Sequence, residues 1–131
     1  MNPVSEDIKD LLVEDSSLAL TFATDLFIAK QPLTPDNCVT IYDTPGAPPA
    51  LWMDAADVYD YPSIQIRVRN KSYLTGYALI QQIKTFLHGQ AHVTINSTYY
   101  SLIQCMGDPA FLEWDEKGRV HFIINFNLQR R

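Results

Sequence analysis

The sequence predicts an α+β fold: a mostly antiparallel mixed sheet with one long helix packed on it, a short N-terminal helix and a C-terminal β-meander. Three observations carry that expectation. Ile64, Ile66 and Val68, and later Val120, Phe122, Ile124, Phe126 and Leu128, alternate with mainly polar neighbours, the period of a strand with one buried and one wet face. Between these runs, residues 73–88 place Tyr73, Tyr77, Leu79, Ile80, Ile83, Phe86 and Leu87 on one helical arc. Strand-like runs cluster on both sides of that helix, as in a sheet layered with helices. The chain has 131 residues, 47% of them apolar and 19% charged. That is enough for one core, so residues 1–131 are expected to form a single domain.

The first helix is expected to start at Asn2 as cap and Pro3 as first helical residue, with Glu6 and Asp7 at the positive end of the helix dipole. Val4, Ile8, Leu11 and Leu12 form its apolar stripe, and Asp15 would fall on that stripe, so the helix should end near Glu14. Strands follow at 22–29 and 38–43, joined by the proline-rich turn 31–37. Residues 44–61 open with Pro45, Gly46, Pro48 and Pro49 and read as one long projecting loop, a length uncommon in compact domains and commonly functional. After the strand at 62–69, Ser72 caps the main helix and Gly89 stops it. Gly76 sits inside the apolar arc, where its cost to the helix implies close approach of helix to sheet. A four-stranded meander completes the chain. Its strands at 91–95 and 98–106 flank the hairpin pair Asn96-Ser97, and those at 110–114 and 119–128 flank a turn ending at Gly118.

Charge is uneven. Residues 1–66 hold 2 Lys/Arg against 11 Asp/Glu, a net of −9, and residues 67–131 hold 8 against 4, a net of +4, which together give the chain's −5. The basic residues are dispersed, so no duplex-binding stripe is expected. No apolar run approaches the roughly 18 residues that span a bilayer. The first residues lack the basic and apolar regions of a secretory signal, which points to synthesis in a cytoplasm. Cys38 and Cys105 lie in strand-like runs and are read as reduced, small apolar side chains.

Chemistry is hard to find. His88 and His92 have the spacing of a helical zinc pair, but Gly89 ends the helix between them. Asp54, Asp57 and Asp60 lack the spacing, central glycine and terminal glutamate of a calcium loop. There is no glycine-flanked nucleophile and no phosphate loop. Leu51-Trp52-Met53 is an apolar triplet inside the polar loop, either folded onto the core or reaching a partner, since Trp and Met are enriched where surfaces meet.

Several segments occur together in a familiar order. They are Asp36-Asn37-Cys38-Val39-Thr40-Ile41-Tyr42-Asp43 with Pro45-Gly46, and Tyr61-Pro62-Ser63-Ile64-Gln65-Ile66-Arg67-Val68-Arg69. Tyr73-Leu74, Tyr77-Ala78, the run from Ile83 to Leu87-His88-Gly89, and Gly107-Asp108-Pro109 with the closing hairpin complete the set. In this order the chain resembles the small bacteriophage neck proteins labelled minor capsid proteins, which look like tail terminators of long-tailed phages. The resemblance implies a structural virion protein, assembled in the host cytoplasm, with no cofactor and no turnover. It implies a homo-oligomeric ring of six that caps the tail tube and meets a head-side connector or stopper, with DNA only passing through the lumen and no membrane contact. A head-closure stopper is the competing role, and a small binding domain or enzyme a more distant one. On this reading the subunit or partner contacts fall to Leu51, Trp52 and Met53 of the loop and to Arg67, Arg69, Arg130 and Arg131, which would meet the acidic half of a neighbour or face the passing DNA.

Overall fold

The computed structural model describes residues 1–49 and 59–131. Two helices and seven strands follow one another: α1 (Val4–Glu14), β1 (Leu26–Ile28), β2 (Cys38–Ala47), β3 (Tyr61–Asn70), α2 (Tyr73–Leu87), β4 (Ala91–Ile95), β5 (Thr98–Cys105), β6 (Ala110–Trp114) and β7 (Val120–Arg130). The sheet order is β1-β2-β3-β7-β5-β4, with β6 also paired to β7. Every pairing is antiparallel except β1 with β2.

Alternation decides which face is covered. Ile64, Ile66 and Val68 of β3 and Phe122, Ile124, Phe126 and Leu128 of β7 join one buried cluster with Val4, Ile8, Leu11 and Leu12 of α1 and Ile80, Ile83 and Leu87 of α2. Gly76 lets α2 come down onto the sheet. A Cβ there would lie 3.1 Å from the Asn70 Cβ and 3.3 Å from the Phe122 ring. Ser72 caps α2 by accepting from the Thr75 amide at 3.3 Å. At the far end His88 occupies the C-cap position and accepts the Cys105 amide on Nδ1 at 3.1 Å. The Asn96-Ser97 hairpin has both residues at positive φ (49° and 65°), as its two-residue turn requires.

Five expectations need correction. Residues 22–29 are not one strand: Asp25 accepts the Thr21 amide at 2.7 Å and Ala23 has φ 67°, so the chain turns there and β1 keeps only three residues. Pro3 is the N-cap of α1, and no side chain caps it. The segment 44–61 is strand at both ends. β2 runs on through Pro45 and Gly46 to Ala47 with a register shift between Thr44 and Ala47, and Asp60 exchanges backbone hydrogen bonds with Arg130. Proline and glycine, read as turn signals, here mark a bulge, where neither has to complete the ladder. The four strands of the meander share three lanes: β5 and β6 both pair with β7, β5 along Phe126–Arg130 and β6 along Val120–Ile123. Arg69, expected to project into solvent, is 3% exposed. Its guanidinium donates to the carbonyls of Pro35 (2.6 Å) and Asp36 (3.1 Å), so it holds the turn 31–37 down on the sheet.

Candidate assembly interface

The sheet face away from the helices carries an amide and hydroxyl strip. Ser63 Oγ lies 2.6 Å from Asn127 Oδ1, Gln65 Nε2 donates to Asn125 Oδ1 at 3.2 Å, and Ser101 Oγ donates to Gln129 Oε1 at 3.0 Å. These pairs follow from register, because Ser63 stands opposite Asn127 and Gln65 opposite Asn125. Arg67 is the cation of the strip: its Nε donates to Gln65 Oε1 at 2.9 Å and its guanidinium lies 5.3 Å from the Tyr42 ring centre.

The four arginines singled out in the sequence do not form one patch. Arg67 stands opposite Ile123, roughly 23 Å along β7 from Arg130. Arg69 is spent on the turn. Arg130 and Arg131 come together at the end of β7. Arg130 Nη1 donates to the Asn2 carbonyl at 2.8 Å, and Arg131 lies over the rings of Tyr99 (5.1 Å) and Tyr59 (5.5 Å). Leu51, Trp52 and Met53, with Asp54 and Asp57, lie outside the described residues.

Sequence reading missed a second surface. Among the described residues eleven large apolar side chains are exposed, and six of them belong to α2 and β6: Tyr73, Leu74, Tyr77, Phe111, Leu112 and Trp114. Leu74 is 77% exposed and Trp114 51%. Tyr73 stacks on Trp114 at 6.4 Å between ring centres, and Tyr73, Tyr77 and Phe111 all contact the buried Phe122 ring at 5.2–6.5 Å. All of β6 is exposed, and among the described residues it pairs only with β7. An open strand edge with apolar side chains is a ready template for another chain. The signal in the sequence was Ala110-Phe111-Leu112-Glu113-Trp114, apolar at every position but Glu113 and without strict alternation.

Beneath this surface a buried ionic knot fixes the closing hairpin. Arg119 donates to Asp115 Oδ2 (2.7 Å) and to the Leu33 carbonyl (2.8 Å), and His121 Nε2 is 3.1 Å from the same Asp115 oxygen. Burial opposes the charge on Asp115. Hydrogen bonds from the Arg119 amide, the His121 and Arg119 side chains and the Lys117 amide outweigh it and hold the carboxyl well below the usual range. The knot braces a turn and ties it to Leu33 and Asp36, while His121 Nδ1 is buried without a partner among the described residues. Among the described residues no group of three or more His, Cys, Asp or Glu could hold a metal, and no helix is long and apolar enough to cross a membrane.

The described surface thus combines the open outer edge of β6 with an exposed apolar shelf on α2 and β6. The model of a family described as bacteriophage tail terminator protein matches residues 12–131, and the chain belongs to that family. It is therefore a structural protein of the bacteriophage tail. Among solved structures, a chain from the virion of a native gene transfer agent particle is similar at 13% identity and TM-score 0.68, covering 98% of this chain and 94% of that one. A second solved chain is similar at 11% identity and TM-score 0.56, covering 98% of this chain and 91% of its own length. At such identities the likeness is one of fold. A search of curated proteins returns no match.

Proposed function

We propose that the protein works as a closed homo-oligomeric ring, of six copies by family resemblance, that caps the finished tail tube and joins it to the head-side connector. The observation that carries this reading is membership of the tail terminator family over nearly the whole chain. The large exposed apolar surface on α2 and β6 supports it, because such a surface on an isolated domain is costly unless a neighbour covers it. A ring needs a heterologous contact, one patch of a subunit meeting a different patch of the next. The DNA passes through the lumen without being read.

The test is imaging of tails made with and without the protein. A ring of density at the head-proximal end, lost when the protein is omitted, is the expected result. A single, asymmetric copy per particle would refute the reading. We assign Leu51, Trp52 and Met53 to a contact with a neighbouring subunit or the tail tube. Trp52→Ala should then impair assembly while leaving the Tm of the monomer nearly unchanged, whereas a variant that unfolds the monomer would place Trp52 in the core.

A further inference from the structure

We propose that the subunit contact is a side-chain junction in which the apolar shelf on α2 and β6 of one copy seats in the groove beside β1 of the next. This inference rests on the ring reading above and names the two surfaces that would close the ring.

The groove lies along an edge that is closed to strands. Phe22 bridges Leu26, the Leu26 amide donates to the Thr21 carbonyl at 3.2 Å, and the Leu26 carbonyl accepts the Ala23 amide at 2.9 Å. Further on, the Ile28 carbonyl accepts the Lys30 amide at 2.7 Å. These backbone groups are answered inside the chain, so a neighbouring strand finds no ladder to extend. What remains for a neighbour is side chains. Phe22, Ala23, Phe27, Ile28 and Pro32 form the apolar walls, and Glu6 and Lys30 lie among them. Glu6 is bound to Lys9 at 3.0 Å, and Lys9 lies 4.5 Å from the Phe22 ring centre. Lys30 is exposed and has no ion pair among the described residues.

Such a groove takes a knob rather than a strand, and the shelf supplies one. Leu74 is the most exposed side chain of the shelf. Tyr73 and Tyr77 of the same helix rest on the Phe122 ring, so the surface around Leu74 is already ordered and little freedom is lost on contact. Glu113 and Glu116 border the shelf against a single Lys117, all three exposed and without an ion pair among the described residues. Lys30 of the groove therefore meets a rim of opposite sign, with Glu113 as its partner.

Register sets the two surfaces apart. Leu26 stands opposite Val39, Val39 opposite Val68, Val68 opposite Phe122, and Phe122 opposite Phe111. β1 and β6 are thus four strand spacings apart, roughly 19 Å, at opposite ends of one row. Each copy can offer its shelf on one side and its groove on the other, the heterologous contact that a ring demands.

The experiment combines two variants in one preparation. Chains carrying Leu74→Cys are mixed with chains carrying Ala23→Cys and treated with a short bis-maleimide, with the unaltered chain as background for Cys38 and Cys105. Cross-linked dimers that need both variants together are expected. A cross-link formed by Leu74→Cys chains alone would show shelf against shelf and overturn the proposal, as would rings that give no cross-link in the mixture. In parallel, Leu74→Asp with Trp114→Ser should lower the ring fraction at least tenfold at matched concentration. Lys30→Glu should weaken assembly, and adding Glu113→Lys in the same chain should restore it. Rings that form equally well with the Leu74→Asp and Trp114→Ser changes would discard this junction and leave the ring reading standing. Unaltered protein that forms no ring, free or on tails, would remove the ring reading and this junction with it. Should the shelf variants lose their fold by circular dichroism, the cross-linking arm decides.

Discussion

The phenolic oxygen of Tyr100 donates to the carboxylate of Asp7, joining the first helix to a strand 93 positions later, with both side chains fully buried. Asn96 donates to the other Asp7 oxygen at 2.9 Å and Arg130 Nη1 approaches the Tyr100 hydroxyl at 3.4 Å. One buried carboxylate thus ties α1 to the β4–β5 hairpin and the end of β7. Tyr100→Phe leaves that carboxylate short of a donor in a dry site, at a cost of about 1–3 kcal/mol. Burial first, and then the bond to Asp7, hold the Tyr100 hydroxyl well above its ordinary value of 10.0. A raised folded-state value means that this stabilisation is complete below pH 10 and is lost as pH rises beyond it. Urea titrations should show stability falling above pH 10 in the native chain and a shallower fall in Tyr100→Phe.

Asp115 gives the opposite dependence. Its carboxyl is held below the ordinary value of 3.8, so its contribution is present above pH 3.8 and lost as pH falls below it. Asp115→Asn should cost about 2 kcal/mol at pH 7, because the buried Arg119 loses the nearer of its two anionic partners and keeps only Asp36 at 3.4 Å. It should also flatten the acid limb of a stability–pH curve. An acid limb identical in the two proteins would remove Asp115 from the account.

Two glycines mark close approaches of different severity. A Cβ on Gly46 would stand 2.0 Å from the Tyr61 carbonyl oxygen, which belongs to the backbone and cannot move aside cheaply. Gly46→Ala should destabilise by about 1–3 kcal/mol by forcing the β2 bulge off β3. At Gly76 the nearest atoms are 3.1 Å and more away, and alanine gains helix propensity of about 1 kcal/mol, so Gly76→Ala should lie within about 1 kcal/mol of neutral. Thermal melts of the two variants should rank them in that order.

Arg67 and Arg69 sit two residues apart and should behave differently. Arg69→Ala abandons the Pro35 and Asp36 carbonyls and should cost about 2–3 kcal/mol, visible as a lower Tm and faster proteolysis within 31–37. Arg67→Glu disturbs a half-buried, amide-lined strip and should leave the fold intact. If that strip faces the lumen of the proposed ring, Arg67→Glu yields normal rings with reduced DNA passage or retention. Rings that fail to form would return Arg67 to the subunit contact.

Periodicity by itself determined the strands of the core, α2 with its Ser72 cap, the Asn96-Ser97 hairpin and the close approach at Gly76, because each of these depends on neighbours a few residues away. The order of segments also carried the family. Only the tertiary structure decided the rest. Pro45 and Gly46 read as a turn until β3 is laid beside them and shows a bulge. Arg67 and Arg69 share a strand face and look equivalent, yet the turn 31–37, brought over by long-range pairing, buries one and leaves the other half-open. Trp114 and Phe111 read as ordinary strand residues because exposure is set by what covers a strand, and β6 has nothing over its outer edge among the described residues.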